Sequence, residues 1–575
     1  MCDFRLALRA GAAAAAGCFS FIAAAQQIPI PSGAILEQQQ KQPLPLPPRE
    51  APVVPQAAPV RPALPASPTL KVDVRDFRFS GNTVYSSAEL QATVQDFIGK
   101  TQDFDGLNEA AGRVQRYYRE RGFFLAVAYL PAQQISNGIV EISVLEGRIG
   151  TVDVQLPPNS RLRNSFARGI LDAHLQPGDL ITEEGLERPL LLLRDLPGVD
   201  LTSALGPNKD RQGAADLNVK VQEEERRYSG YIDADNSGNR FTGDFHGGLN
   251  ANIDNFTGYG DVFSFRGFTS DGGMNFGRAA WVVPVGHRGT RVGLSYTAFN
   301  YRLGRDFKAL QAHGDGTVAT IYALHPFVRT RNANFLVQGA VEEKRLNDFI
   351  DSTGAVENRR VTNMKLGAIG DFRDSALSGG LNSYSANYTA GNLAIGPDPI
   401  YAADQAVGTG LNTAGTFSKL NFDYRRLQRV SESWNLLLAY SAQAAGKNLT
   451  ASEKFSLGGP NAVRAYPVGE APGDSGFFFS AEMRYAIPKF AIWGGDVSLS
   501  TFYDMGAVRV NQVQPSANTA VNNRAIAGAG FGVSIGREGT FLFKASVAER
   551  VEKEKPVADG ARRDPRVWFQ AIKWF

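Results

Sequence analysis

The sequence predicts a transmembrane β-barrel preceded by two small α+β modules, and three observations carry that reading. From about Tyr228 to Phe575 helix signals vanish, and short segments alternating apolar with small or polar residues follow one another between Gly, Asn, Asp and Ser. This stretch runs for roughly 350 residues as one unit, whereas a β-sandwich domain has typically about 100. It closes on Trp568, Phe569, Trp574 and Phe575, an aromatic end strand whose last residue is read as the barrel's C-terminal signal. Composition agrees: 60 Gly, 36 Phe and 18 Tyr in 575 residues favour turns and strands. Mean hydropathy is −0.21, and beyond the N-terminus no run reaches the ~18 apolar residues that a spanning helix needs. Alternating strands can nevertheless cross a bilayer while averaging to a polar sequence. Lys plus Arg (60) nearly balances Asp plus Glu (57), so the net charge of +3 offers no field to gather nucleic acid.

Taken in order, residues 1–25 read as a secretory signal peptide. Arg5 and Arg9 precede an alanine-rich apolar segment from Ala10 to Ala25, which closes on three alanines before Gln26. Ala16, Gly17 and Cys18 also suit lipoprotein processing, a weaker match because Ala15 stands where leucine is usual. Cys2 and Cys18 both lie in this segment, so the mature chain is expected to hold no disulfide, zinc site or thiol nucleophile. Residues 26–68 are rich in Pro, Gln and Ala. Within them Ala34 to Gln42 can make a few helical turns, and Pro43 to Pro68 forms an extended spacer.

Residues 69–147 and 148–224 form two copies of one module in series. In the first, Ser86 and Glu89 make a capping box, after which Leu90, Val94, Phe97 and Ile98 share a helical face. A second helix carries Leu107, Ala111, Val114 and Tyr118 and stops at Gly122, and strands follow near Phe124 to Leu130 and Ile139 to Leu145. The order recurs from Val152, with helices near Leu162 to Leu175 and Glu184 to Leu193, then strands around Leu201 and from Leu217 to Val221. Residues 225–575 are the barrel. Val292, Leu294, Tyr296 and Ala298 share one face of a segment; Val497, Leu499, Tyr503 and Met505 alternate with Ser498, Ser500, Asp504 and Gly506, which places Asp504 on the inner face.

Chemical motifs are sparse. Gly473-Asp474-Ser475-Gly476 matches a serine-protease nucleophile segment, but no G-x-S-x-G elbow or suitably placed His accompanies it. His174, His246, His287, His313 and His325 show no metal-ligand spacing. Gly528, Gly530 and Gly532 miss the nucleotide-binding spacing and are read as thinning the inner wall. No catalytic residue, cofactor or metal is expected.

Residues 453–485 carry a more specific signal: Leu457-Gly458-Gly459, then Val463-Arg464-Ala465-Tyr466, then Gly473-Asp474-x-Gly476 leading into a strand, with Phe502-x-Asp504-x-Gly506 beyond. These motifs resemble the transporter component (TpsB) of two-partner secretion systems, the ShlB/FhaC/HecB haemolysin secretion/activation type, within the superfamily that contains the barrel-assembly protein BamA. The modules resemble that family's POTRA domains through Leu130-Pro131-x-Gln133, Gly138 and Glu146-Gly147. The resemblance implies sixteen strands of about 9 to 11 residues with long outer loops, a plug helix at Ala34 to Gln42, and an outer-membrane barrel with periplasmic POTRA domains. It also implies export of a secreted TpsA-type partner, an adhesin or haemolysin, without ATP, and insertion into outer-membrane lipid by the barrel-assembly machinery. An insertase of the barrel-assembly type is the alternative. A passive porin would lack the modules and the motif pair, and residues 26–227 leave no room for a fused hydrolase.

The resemblance also couples Arg464 to Asp504 as a lock between loop and barrel, with Val463, Ala465, Tyr466, Phe502 and Gly506 as neighbours. Arg464 stands about ten residues past the preceding strand, a reach of roughly 33 Å that would carry the loop deep into the lumen. The family has glycine at 465, so the alanine is expected to cost about 1 kcal/mol at a positive φ or to change the loop tip.

Overall fold

The computed structural model describes residues 30–40, 71–551, 554–559 and 563–575. The signal segment and the Pro-rich spacer expected at 43–68 lie outside the described residues. Sixteen antiparallel strands close into a barrel, the first, Tyr228–Asp235, pairing with the last, Arg566–Trp574. Period-two alternation sorts their side chains as it must when one face meets lipid. Leu294, Tyr296 and Phe531 are exposed on the outside, while Thr297, Phe299 and Asp504 are buried towards the lumen.

Strand length differs from the expected 9 to 11 residues. Ala312–Arg329, Ala333–Ile350, Ala355–Asp374 and Gly380–Gly396 span 17 to 20 residues. These strands continue past the bilayer, where the outward positions turn from apolar to charged, as in Glu343, which pairs with Arg345 and Arg360. Part of what the sequence suggests as loop is therefore sheet. An outer loop also holds a short helix, Asp398–Asp404, in a region expected to have none.

Each module is a three-stranded sheet covered by two helices. In the first, strand Ile139–Leu145 lies between Asp76–Ser80, to which it is parallel, and Val127–Tyr129. The capping box forms: the Ser86 N–H donates to Glu89 (2.8 Å) and the Glu89 N–H to Ser86 Oγ (3.3 Å), starting helix Ser87–Val94. Helix Phe104–Arg119 buries Leu107, Ala111, Val114 and Tyr118. In the second module, Ala214–Glu223 lies between Arg148–Gln155 and Val199–Pro207, under helices Asn164–Asp172 and Glu183–Arg194.

The second module sits directly on the inner turns of the barrel. Asp195 receives two bonds from the Arg329 guanidinium (2.8 and 2.5 Å), and Arg188 donates to the carbonyls of Pro326 (2.7 Å) and Phe327 (2.9 Å). Arg163 lies over the Tyr259 ring (4.3 Å), which meets Phe166 edge-on (5.6 Å). Charge-assisted bonds plus aromatic contacts fix the module's position below the pore.

Candidate functional site: a loop held inside the barrel

The segment between strands Trp434–Ala445 and Ser475–Ile492 turns inward rather than outward. Its two arms are zipped by paired bonds between Phe455 and Gly473 (2.7 and 2.8 Å) and by the Leu457 N–H donating to Glu470 O (2.9 Å). Gly459, at φ 114°, makes the tip's reversal. Phe455, Leu457, Val463 and Tyr466 then pack against Phe478, Phe502, Val508 and Ile526 of the wall. Gly506 leaves the space that Leu457 fills, since a Cβ there would come within 2.6 Å of it.

Arg464 is consequently delivered to strands Ser475–Ile492 and Gly495–Arg509, whose register puts Ser480 opposite Asp504. Its Nε and Nη2 donate to the two Asp504 oxygens (2.8 and 2.9 Å), its backbone N–H adds a third bond (3.2 Å), and Nη1 donates to Glu482 (2.6 Å). The guanidinium lies 3.2 Å from the centroid of the Phe502 ring. Ser480 Oγ donates to Asp504 (2.7 Å), and the Trp568 indole N–H donates to the Arg464 carbonyl (2.7 Å), tying the last strand to the loop. The Asp504 side chain is fully buried. Removing one partner of such a pair strands the other charge, which costs about 3–5 kcal/mol.

Three sequence expectations need correction. The preceding strand ends at Ala445, so Arg464 comes nineteen residues later rather than about ten; the added length is taken up by a 3-10 turn at Ala451–Glu453 and by the zipped arms. Ala465 has no positive φ. Its methyl instead faces Gly528, whose own Cβ would collide with it, so a lumenal glycine accommodates the alanine. The N-terminal helix begins at Ser32 rather than Ala34, because Pro31 O accepts from Ala34 and Ile35 and starts the turn earlier; it is described as far as Gln40, and residues 41 and 42 of the expected helix lie outside the described residues.

That helix lies in the lumen. Asp348 accepts from the Ser32 N–H (2.7 Å) and Oγ (3.0 Å), and Ile35 and Leu36 pack among Phe241, Tyr301 and Leu346. Glu37 accepts from Ser456 of the inward loop (2.9 Å). Around helix and loop remains a cavity of about 560 Å3, reached by Arg464, Glu482, Ser500 and Ser534. The Gly-Asp-Ser-Gly segment is a staple at the loop's base: buried Asp474 accepts from Lys454 (2.7 Å), Leu449 N–H (3.0 Å) and Gln512 N–H (2.7 Å). Among the described residues no cluster of three or more His, Cys, Asp or Glu could hold a metal ion. The sequence alone does not assign Glu482, Ser480 and Trp568 to Arg464. Their inward parity was readable from alternation, but the register that brings them to Arg464 was not.

Residues 213–535, more than half the chain, match the family described as "Haemolysin secretion/activation protein ShlB/FhaC/HecB". The chain belongs to this family. Residues 72–147 match "POTRA domain, ShlB-type". Among curated relatives, the "Heme/hemopexin transporter protein HuxB" of Haemophilus influenzae (strain 86-028NP) is 26% identical over 489 residues, covering 85% of this chain and 84% of its own. The "Outer membrane transporter CdiB" of Dickeya dadantii (strain 3937) is 21% identical over 433 residues, 73% of this chain and 74% of its own. In fold the chain is similar to CdiB from Escherichia coli (TM-score 0.69, 18% identity, 90% of this chain and 94% of that one) and CdiB from Acinetobacter baumannii (0.63, 18%, 95% and 99%). As a haemolysin secretion/activation family member, the protein is an outer-membrane transporter that exports a secreted partner through its barrel, with POTRA modules in the periplasm.

Proposed function

We propose that an adhesin- or haemolysin-type partner arrives unfolded in the periplasm, is received by the POTRA modules at 69–147 and 148–224, and passes through the lumen once the inward loop and helix Ser32–Gln40 rearrange. The observation that carries this reading is the Arg464 cluster: a charged, buried junction anchors to the wall a loop that otherwise stands in the path. Arg464 and Asp504 act as the lock, Val463 and Tyr466 seat the tip, and Phe502 and Gly506 shape its pocket. Reception uses strand edges, Asp76–Ser80 or Val127–Tyr129 in the first sheet and, in the second, Val199–Pro207 or the part of Arg148–Gln155 beyond Ile149, whose own N–H and C=O pair with Asp179 and Gly178. Backbone pairing there makes little demand on the incoming sequence. No nucleotide is needed, because folding of the emerging segment outside biases motion outward.

The exposed apolar belt meets outer-membrane lipid, and with Phe575 at the last strand it addresses the chain to the barrel-assembly machinery. In this reading the protein is not an enzyme, and its junction is mechanical. Deleting residues 69–147 tests reception: secretion of the partner should be lost while the barrel remains inserted and heat-modifiable. Normal secretion from that deletion would remove the claim.

A further inference from the structure

We infer that Glu453 is a second anchor of the inward loop, on a different arc of the wall from Arg464, and that its turn is the seat on which helix Ser32–Gln40 closes the lumen. This rests on the reading above only in taking loop and helix as the elements that obstruct the path.

The turn Ala451–Glu453 begins the descending arm of the loop. Glu453 is 1% exposed, and its carboxylate is surrounded by donors from three strands. Lys344 Nζ (2.8 Å) and Asn363 Nδ2 (3.2 Å) reach Oε1, and Lys419 Nζ (2.9 Å) reaches Oε2. The Glu453 carbonyl accepts from Lys419 (2.9 Å) and from Gln443 (3.0 Å). On the same patch Glu342 faces Lys344 (3.2 Å) and Lys365 (3.0 Å). Three lysines thus stand against two carboxylates, one from the wall and one from the loop. If the turn leaves, three ammonium groups confront a single carboxylate in a confined lumen, so the wall carries a charge pattern that the loop completes.

The other face of the turn supports the helix. Gly33 packs on Ser452 so closely that a Cβ would stand 2.8 Å from the Ser452 nitrogen, and Ser456, four residues on, donates to Glu37. The helix rests on the wall at Asp348, Tyr301 and Leu346 and on this turn. Glu453 is therefore a positioning residue. It acts on the helix through the turn that it fixes.

The test uses the full chain in planar bilayers, reading the fraction of time the pore conducts, with no secreted partner present. Glu453→Ala should raise open time about tenfold or more over the unaltered protein, with the barrel still heat-modifiable. Lys344→Met should act in the same direction, and the double variant should exceed the stronger single by little. Deleting residues 30–40 sets the upper limit, and adding Glu453→Ala to that deletion should change nothing further. If Glu453→Ala is not heat-modifiable, Glu453→Gln, which keeps size and hydrogen bonding but loses charge, takes its place. Unchanged open time in the folded variant, or an increase that persists in full without the helix, would overturn the inference. Because no partner is involved, its failure is separable from failure of the export reading.

Discussion

At Arg464 one guanidinium serves two carboxylates and an aromatic ring at once, while its backbone carbonyl holds the last strand. A lysine could supply the charge but not the planar fork that meets both Asp504 oxygens. Arg464→Ala and Asp504→Ala should each cut the secretion rate at least about tenfold, and the double variant should be far from multiplicative, since either change alone dissolves the pair. Rates that simply multiply would mean the two residues act independently. Asp504 was legible as an inward residue from period-two alternation. Glu482 was not legible as its companion, because parity gives the face of a strand but not the register against its neighbour. Ala465 shows the converse limit: the sequence pointed to backbone strain, and the relief came from Gly528, sixty-three residues away in the chain.

Also at this scale, Glu146 of the first module offers a pH-dependent reading outside the membrane. Burial alone would lift its carboxyl, but bonds from Thr83 and from the Val84 N–H (2.8 Å) and Tyr118 OH (3.0 Å) outweigh it and hold the group below its usual 4.5. A depressed folded value contributes stability above the unfolded pKa and loses it as pH falls through the folded one. Hydrogen-exchange protection of residues 71–147 in the whole protein should therefore decline as pH drops below about 4.5, and Glu146→Gln should remove most of that dependence. An identical pH profile in the variant would assign the effect to other groups.

Among the elements, the second module's seat on the barrel turns has no signature in the sequence. Asp195 ends a helix and Arg329 ends a strand, and nothing in either segment's periodicity connects them. The helices themselves were legible, because capping residues and a 3.6-residue apolar stripe are local signals. Their docking is a tertiary fact. The bidentate pair between Asp195 and Arg329 contributes about 1.5–3 kcal/mol. Arg329→Ala should broaden the distance distribution between spin labels on the second module and on the barrel, and should lower secretion several-fold. An unchanged distribution would show that Arg188 and the aromatic contacts suffice.

For the molecule as a whole, the arrangement is a column: two modules below, a closed barrel, and a lumen shared by one helix and one loop. The barrel was legible as a barrel because alternation persisted for so long, whereas its extension beyond the bilayer was not, since strands continue outward with the same period but charged outer residues. Residues 225–575 should migrate as a heat-modifiable species after membrane insertion, and substantial helix in this region would contradict the architecture. The export path itself is the central claim, and photo-crosslinking of a partner stalled in transit tests it most directly. Ser500 faces the lumenal cavity and Phe531 faces lipid. A photoreactive residue at Ser500 should capture the partner while one at Phe531 does not. Capture at Phe531 without capture at Ser500, from a protein that still secretes, would contradict passage through the barrel.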